Sequence, residues 1–324
     1  MREKTVFLTG ATGFVGRALL LGLLEEGHPV RSLVRRGSRL GLPFQSSLSV
    51  IEGDLDDASA LRQGVAGAAV VFHLAASLRM FEKKNELYRS NIRGTENLLQ
   101  ACAETGKQIR FVFASSIEAV GPRSDDRAGS SLVARPVSDY GKSKLEAEKT
   151  IKLFCDTYPQ MTYTILRIGN VYDETRGAIR TLSTILRKGG WRASLLRHAL
   201  KDHSLSLIHL DDVVDILLTA SKSIDAENKT YFAVGECLIV EKIISMLEPA
   251  VPSKRHSSSL LFDKAALSLW NLAMKSSSKS DFLTYLSIGG KRKSRDYRDQ
   301  ELPICFNIHP KTISELFQKQ KSPC

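Results

Sequence analysis

Tyr140 and Lys144 are the residues whose types and spacing first point to chemistry. They lie four positions apart, and the following Leu145-Glu-Ala-Glu-Lys149 is strong helix-forming sequence. On a helix, side chains at i and i+4 share a face, so a phenol and an ammonium stand side by side. A free tyrosine titrates near pH ~10. A neighbouring cation favours the phenolate and lowers that value toward neutrality, where the phenol can give or take a proton. Such a pair suits an alcohol or a ketone. With eight tyrosines in the chain, about half of one Tyr-x-x-x-Lys match is expected by chance. The surrounding elements must therefore decide between an acid/base centre and a solvated helix face.

A hydride carrier would give the pair a partner. The apolar run at the N-terminus leads straight into Thr9-Gly-Ala-Thr-Gly-Phe-Val-Gly16 and then into a helical pattern. Gly10 permits a tight turn, Gly13 lets backbone approach a pyrophosphate, and Gly16 allows helix to pack on strand. Thr12, Phe14 and Val15 complete a helix N-terminus that offers free N–H groups and partial positive charge to an anion. A Gly-rich turn between the first strand and first helix predicts dinucleotide binding. About 20 residues beyond such a loop, an acid usually accepts from the ribose 2′-hydroxyl of NAD. Here Arg35-Arg36 occupies that place. Two guanidiniums suit a 2′-phosphate, so NADP(H) is the expected cofactor, with NAD(H) as the alternative.

Elements that position these residues alternate. Strands are expected at Thr5–Leu8, Val30–Val34, Leu48–Glu52, Ala69–Leu74, Ile109–Ala114 and Thr162–Arg167. Helices are expected at Phe14–Glu26, capped by Gly27, and at Ser59–Val65, Glu86–Glu104 and Ser138–Tyr158. This order predicts an α/β Rossmann-type doubly wound parallel sheet with helices on both faces. The dinucleotide-binding domain is expected over 1–170, with core elements continuing to about 235. Residues 171–324 are expected to form a smaller, mainly substrate-binding region. There the pattern loosens: helices over Ile179–Lys188 and Asp211–Ser221, the latter from an acidic N-cap, and strands over Leu205–Ile208 and Thr230–Val234. Ser257–Lys275, with Leu260, Leu267, Trp270 and Met274, reads as an amphipathic helix over a binding cleft; its apolar face also allows peripheral membrane contact.

Composition narrows the class. The chain has 324 residues, 43% hydrophobic and 25% charged, which suits a soluble globular protein. It contains no apolar run long enough to span a bilayer and no N-terminal pattern of a signal peptide. Five scattered cysteines (102, 155, 237, 305 and 324) read as reduced thiols in a cytoplasmic protein. Histidines 198, 203 and 209 lack partners at ligand spacing, so no metal is expected. The net charge is +11; its densest run, Lys291-Arg-Lys-Ser-Arg295, reads as a solvated loop, and no nucleic-acid motif accompanies it.

An ordered set of motifs resembles the extended short-chain dehydrogenase/reductases, along nearly the whole chain. The matching residues are Thr9–Gly16, Asp54-Leu55, His73-Leu-Ala-Ala76, Asn91 with Gly94-Thr95, Ser115-Ser116, Tyr140 with Lys144, Arg167-Ile-Gly-Asn-Val-Tyr172 and Ile208-His-Leu-Asp-Asp-Val-Val214. The resemblance implies that Asp54 and Leu55 contact adenine and that Leu74, Ala75 and Ala76 line the cofactor. Asn91, Ala114 and Ser115 join that cofactor set. It further implies that Lys144 holds the nicotinamide ribose and that Ile168 lies near the carboxamide. Ser116 would hydrogen-bond the substrate oxygen, Tyr140 would exchange its proton, and Lys144 with the oxidised ring would lower the phenol's pKa. Ser116 is chosen over Ser115 for its offset to Gly121, and because alternation puts the two serines on opposite faces.

Within that family, Ser115-Ser-Ile-Glu-Ala-Val-Gly-Pro122 is similar to the branch of 3β-hydroxysteroid dehydrogenases, dihydroflavonol reductases and hopanoid-associated epimerase-like proteins. This branch implies a bulky, apolar steroid-, flavonoid- or terpenoid-like substrate, with Ser77, Met80, Glu118 and Asn170 as candidate contacts. Three features depart from nucleotide-sugar enzymes: Ile117 in place of a dehydratase's acidic Asp, Val120 in place of an epimerase's Tyr, and Asp173 where Gly commonly follows Val-Tyr. An NADP(H)-dependent alcohol/ketone oxidoreductase is the leading expectation. A nucleotide-sugar epimerase with tightly bound NAD is the second, and a non-catalytic dinucleotide sensor or assembly protein the third. The resemblance also implies a homodimer, paired through helices 86–104 and 138–158.

Overall fold

The computed structural model describes residues 5–43, 45–77, 87–121, 134–198 and 201–247, with 302, 306 and 310–313. The expectations placed on Met80, on 257–275 and on 291–295 lie outside these residues.

Strand β1 (Val6–Thr9) is buried along its whole length. It therefore reads as a continuous apolar run, because helices cover both faces of the sheet. Val6 and Leu8 point into one core with helix α1 (Phe14–Glu25) and helix α7 (Leu210–Lys222). Phe7, between them, points into the opposite core with α2 (Ala58–Val65), α3 (Gly94–Glu104) and α4 (Asp139–Thr157). The other strands are β2 (Val30–Val34), β3 (Leu48–Glu52), β4 (Val70–His73), β5 (Ile109–Ser116), β6 (Met161–Ile168) and β9 (Lys229–Ala233). They form a seven-stranded sheet in the order β3-β2-β1-β4-β5-β6-β9. Every pairing within it is parallel. The chain winds outward from β1 to β3, then crosses to β4 on the other side. That reversal opens a crevice between the loops after β1 and β4, the place where doubly wound sheets bind ligands.

A second, three-stranded sheet has the order β10-β8-β7, from β7 (Asn170–Tyr172), β8 (Ser204–His209) and β10 (Glu236–Ile239). β7 and β8 are parallel, β8 and β10 antiparallel. Helices α5 (Gly177–Lys188), α6 (Gly190–His198) and α8 (Val240–Leu247) share a separate apolar core with it, including Leu182, Leu186, Leu196, Leu207 and Ile243. Strands β7 and β10 and helices α6 and α8 are absent from the sequence expectations. Their apolar residues fall in runs too short to establish a period.

Terminal details follow from local chemistry. Helix α1 ends in a Schellman arrangement: Gly27 takes φ +81°, its N–H donates to Leu24 O, and His28 N–H donates to Leu23 O, both at 3.0 Å. Helix α7 differs from expectation. Its N-cap is His209, whose Nδ1 accepts from Asp211 N at 3.3 Å, while Asp211 and Asp212 occupy the first turn. Carboxylates there still favour the positive end of the helix dipole. Helix α3 begins directly after a π-helical turn over Arg89–Arg93, one wide turn inserted into the expected helix beside the crevice.

Candidate functional site

The loop after β1 is built on missing side chains. Gly10 takes φ +85°, and a Cβ on it would lie 2.6 Å from Ala75 N. A Cβ on Gly16 would lie 2.1 Å from Gly10 O. The close backbone approach expected of the second glycine thus falls within the protein to the first and third. Gly13 is instead an exposed N-cap for α1, beside exposed Thr12. No side chain caps that terminus and no acid lies in the first turn, where half-buried Phe14 and Val15 follow. An uncapped helix start beneath a crevice that admits only backbone fits a pyrophosphate.

Arg35 and Arg36 leave β2 exposed, in a turn where Ser38 N donates to Arg35 O at 2.9 Å and Gly37 has φ +78°. Exposed Asp54 follows β3 and accepts from Asp56 N at 2.9 Å through one oxygen. Half-buried Leu55 packs on α3; a Cβ on Gly94 would meet its Cδ1 at 2.7 Å.

A hydrogen-bonded ladder fixes the exit of β4. Thr95 Oγ1 donates to Asn91 O at 2.8 Å. His73 Nε2 must then donate to Thr95 Oγ1, at 2.9 Å. His73 Nδ1 is left as acceptor for the Thr9 hydroxyl at 2.8 Å, and Ala75 N donates to Thr9 Oγ1 at 3.3 Å. The imidazole is therefore neutral with its proton on Nε2. Burial and then the Lys144 ammonium lower its pKa to about 3. Leu74, Ala75, Ala76 and Ser77 line the loop that this ladder holds, all half-buried.

Asn91, expected at the cofactor, is buried with both ends of its amide engaged. Oδ1 accepts from Ser77 N at 2.7 Å, while Nδ2 donates to Ser77 O and Ser143 Oγ at 3.1 and 3.0 Å. It ties the β4 loop to α4 and acts on the crevice through backbone.

The two serines ending β5 have opposite fates. Ser115 is buried and donates to Glu148 Oε1 at 2.5 Å. Glu148 also accepts from Arg167 Nε and Nη2 at 3.1 and 2.8 Å, an ion pair sealed from solvent. Ser116 is half-buried on the other face, and its Oγ accepts from Glu118 N at 3.2 Å, while its proton meets no acceptor among the described residues. In register beside Ser116 lies Ile168, the last residue of β6.

Helix α4 presents Tyr140 and Lys144. Ser138 caps it by accepting from Gly141 N at 2.9 Å, and donates its own proton to Glu118 Oε2 at 2.5 Å. A Cβ on Gly141 would lie 2.3 Å from Glu118 O, so the helix start is pressed onto the turn after β5. This contact places Tyr140 in the first turn, next to the Ser116 segment. Lys144 Nζ donates to Ala114 O at 2.8 Å, lies 4.5 Å from the Phe113 ring centre and 5.9 Å from that of Tyr140.

Electrostatics here correct one expectation. The Tyr140 pKa is pushed up, first by burial and then by the Glu118 carboxylate. Lys144 does not reverse this, since burial pulls its own pKa down to about 7 against the Glu148 charge. Glu118 is raised as well, by burial, against the hydrogen bond from Ser138. The protein's own groups keep the phenol protonated.

At Gly169 the chain passes from the large sheet to the small one. A Cβ there would lie 2.8 Å from Ser206 O. Asn170 Nδ2 donates to Ser206 O at 3.1 Å, so its amide braces β8 while its oxygen meets no donor among the described residues. The residues sequence reasoning overlooked are supports: Ser138, Ser143 and Glu148. Glu148 carried a signal, lying four positions beyond Lys144 on the same helix face. Among the described residues no group of His, Cys, Asp or Glu could hold a metal ion.

With this geometry in view, comparison with known proteins decides the family. The model of the NAD dependent epimerase/dehydratase family matches residues 6–235. The chain belongs to that family. Among curated members, a Synechocystis sp. protein assigned provisionally as a dihydroflavonol 4-reductase is 40% identical over 44% of this chain and 43% of its own length. A 3 beta-hydroxysteroid dehydrogenase/Delta 5-->4-isomerase of Mycobacterium tuberculosis is 35% identical over 45% of this chain and 41% of its own. The match thus spans less than half the length of these two relatives. A UDP-glucose 4-epimerase of Vibrio cholerae is 28% identical over 70% of both chains. The fold is that of a UDP-glucose 4-epimerase of Thermotoga maritima, with TM-score 0.71 at 19% identity over 98% of this chain and all of that one. This epimerase/dehydratase-family fold is the extended short-chain dehydrogenase/reductase architecture expected from the motifs. Among the described residues no helix is long and apolar enough to cross a membrane.

Proposed function

We propose that this protein is an NADP(H)-dependent oxidoreductase that reduces a ketone to a secondary alcohol on a bulky, apolar substrate. The observation that carries the reading is the division of labour at the end of β5. Ser115 is consumed by Glu148, whereas Ser116 donates to no partner among the described residues, and the half-buried Tyr140 beside its segment stays protonated.

Ser116 would donate to the substrate oxygen, and Tyr140 would deliver the proton to it. A neutral phenol is ready to donate, which supports the reductive direction. Lys144, fixed by Ala114 O, keeps two N–H donors to hold the nicotinamide ribose. The α1 N-terminus with Gly13 would take the pyrophosphate, and Asp54 with Leu55 would flank the adenine. Arg35 and Arg36 would pair with the 2′-phosphate. Ala75, Ala76 and Ile168 would border the cofactor, while Ser77, Glu118 and Asn170 would border the substrate. Bound there, the cofactor would supply the hydride and, once oxidised, a positive ring that favours the phenolate left on Tyr140.

The test begins with the protein as purified. Exchangeable NADPH, and its oxidation with steroid or flavonoid ketones, supports the reading. Firmly retained NAD with interconversion of UDP-hexoses and no net cofactor turnover would replace it with sugar epimerisation. The similarity to the Vibrio cholerae epimerase, which covers more of this chain than the two curated relatives described with it, favours that second reading. Against it stand Val120 and Ile117, both buried and apolar beside the site.

A further inference from the structure

The stretch between Thr175 and Asp202 holds seven Lys or Arg and no Asp or Glu, in a chain of net charge +11. It forms helices α5 and α6 of the small unit. Ala178, Ile179, Leu182 and Leu186 bury the inner face of α5. Arg176, Arg180, Thr184 and Lys188 follow one another at i, i+4 along its outer face, all exposed.

Arg176, Arg180, Lys188 and Arg192 line a shallow cleft of ≈ 420 Å³ between α5 and the start of α6, and no acid is among its described lining residues. Arg176, Arg180 and Lys188 make no ion pair among the described residues. Of the two acids just upstream in the loop, Glu174 lies 3.8 Å from His209 Nε2, and Asp173 is occupied by Thr175 N, Thr175 Oγ1 and Arg176 N. Like charges at helical spacing destabilise a helix when nothing opposes them. An external anionic surface would remove that cost.

We propose that the outer face of α5 and α6 docks the protein on an anionic phospholipid surface. Phosphate headgroups match clustered Lys and Arg on a helix, and the open cleft admits a headgroup between Arg180 and Lys188. Docking is electrostatic and peripheral, because the apolar face of α5 already belongs to the core. No aromatic side chain is among the cleft's described lining residues to stack a base, so a bilayer fits this surface better than a single-stranded nucleic acid. The inference is independent of which substrate the active site takes.

Co-sedimentation of the full chain with vesicles tests it. Phosphatidylcholine vesicles containing phosphatidylserine should retain the protein, pure phosphatidylcholine vesicles should not, and ~0.5 M salt should release it by screening. Arg180→Glu with Lys188→Glu should weaken retention at least ~10-fold, with the thermal midpoint and cofactor binding unchanged. Arg180→Gln with Lys188→Gln should show a smaller loss in the same direction. The proposal is overturned by equal binding to neutral vesicles or by full retention of the charge-reversed variant. It is equally overturned by displacement with millimolar inorganic phosphate, which would mark a small-anion site, or by preferential capture of a single-stranded RNA.

Discussion

The two sheets of this molecule are held together by different means. Around the large sheet's crevice, backbone touches backbone at Gly10, Gly16 and Gly141, and polar side chains close on one another in the Thr9–His73–Thr95 and Ser115–Glu148–Arg167 sets. The small unit is held chiefly by aliphatic packing among Leu182, Leu186, Leu196, Leu207 and Ile243. The first construction demands a particular residue at each place. The second, apart from backbone contacts at Gly169 and Gly177, demands chiefly apolar volume. One region should therefore tolerate few substitutions and the other many.

Breaking the polar side should cost most. Glu148→Ala leaves Arg167 charged, buried and unpaired, and should destabilise by about 3–5 kcal/mol in urea unfolding. Glu148→Leu combined with Arg167→Met should recover most of that loss, which a merely catalytic role for Glu148 would not produce. Leu207→Ala should cost about 2–5 kcal/mol on the aliphatic side. Leu207→Met there should cost less than about 1.5 kcal/mol, because apolar volume is retained. If Leu207→Met were as damaging as Glu148→Ala, the contrast between the two regions would fail.

Tyr140→Phe sharpens the comparison within the polar side. The helix, its Ser138 cap and Lys144 remain, so folding and cofactor affinity should be unchanged. Turnover should fall at least ~100-fold, the lower range for loss of an acid/base group. Equal turnover in stopped-flow hydride transfer would remove Tyr140 from the reaction.

The same contrast explains what could be read in the sequence. Gly10, Gly13, Gly16, Tyr140 and Lys144 were visible because each residue type answers a local requirement at a fixed spacing. β2 and β3 were placed with their observed limits, since each is a short β-rich run flanked by turns, buried in β2 and largely exposed in the edge strand β3. Strands β7 and β10 were not visible: three or four residues carry no period, and their pairing depends on partners far along the chain. The role of Asn91 also lay beyond sequence, because an amide looks the same whether it faces a cofactor or clamps Ser77. So did the Tyr140 pKa, since spacing predicts the nearby ammonium but not the burial that outweighs it.

His73 gives a smaller, pH-dependent difference. Its folded pKa of about 3 lies below the unfolded value near 6.5, so the unfolded state takes up the proton first as pH falls. Stability is fully present above pH ~6.5 and is lost toward pH ~3, by up to about 1.4 kcal/mol per pH unit. His73→Gln should be less stable at pH ~7 yet lose less stability on acidification, by about one proton's worth of slope. Parallel stability curves for the two proteins would show that the imidazole is not held neutral.

Arg35 sets the finest test, because it bears on choice and not on folding. The side chain is exposed at the end of β2, in a turn closed by backbone alone, so its replacement should leave stability unaltered. Arg35→Asp removes a guanidinium suited to a 2′-phosphate and installs a carboxylate suited to a 2′-hydroxyl. The ratio of kcat/KM for NADPH over NADH should shift at least ~10-fold toward NADH, equivalent to about 1.4 kcal/mol. Arg36→Asp, one residue further into the turn, should shift it less if Arg35 carries the main contact. An unchanged ratio in both variants would mean that the second strand does not read the ribose. Cofactor choice would then have to lie with Asp54 and the turn that follows β3.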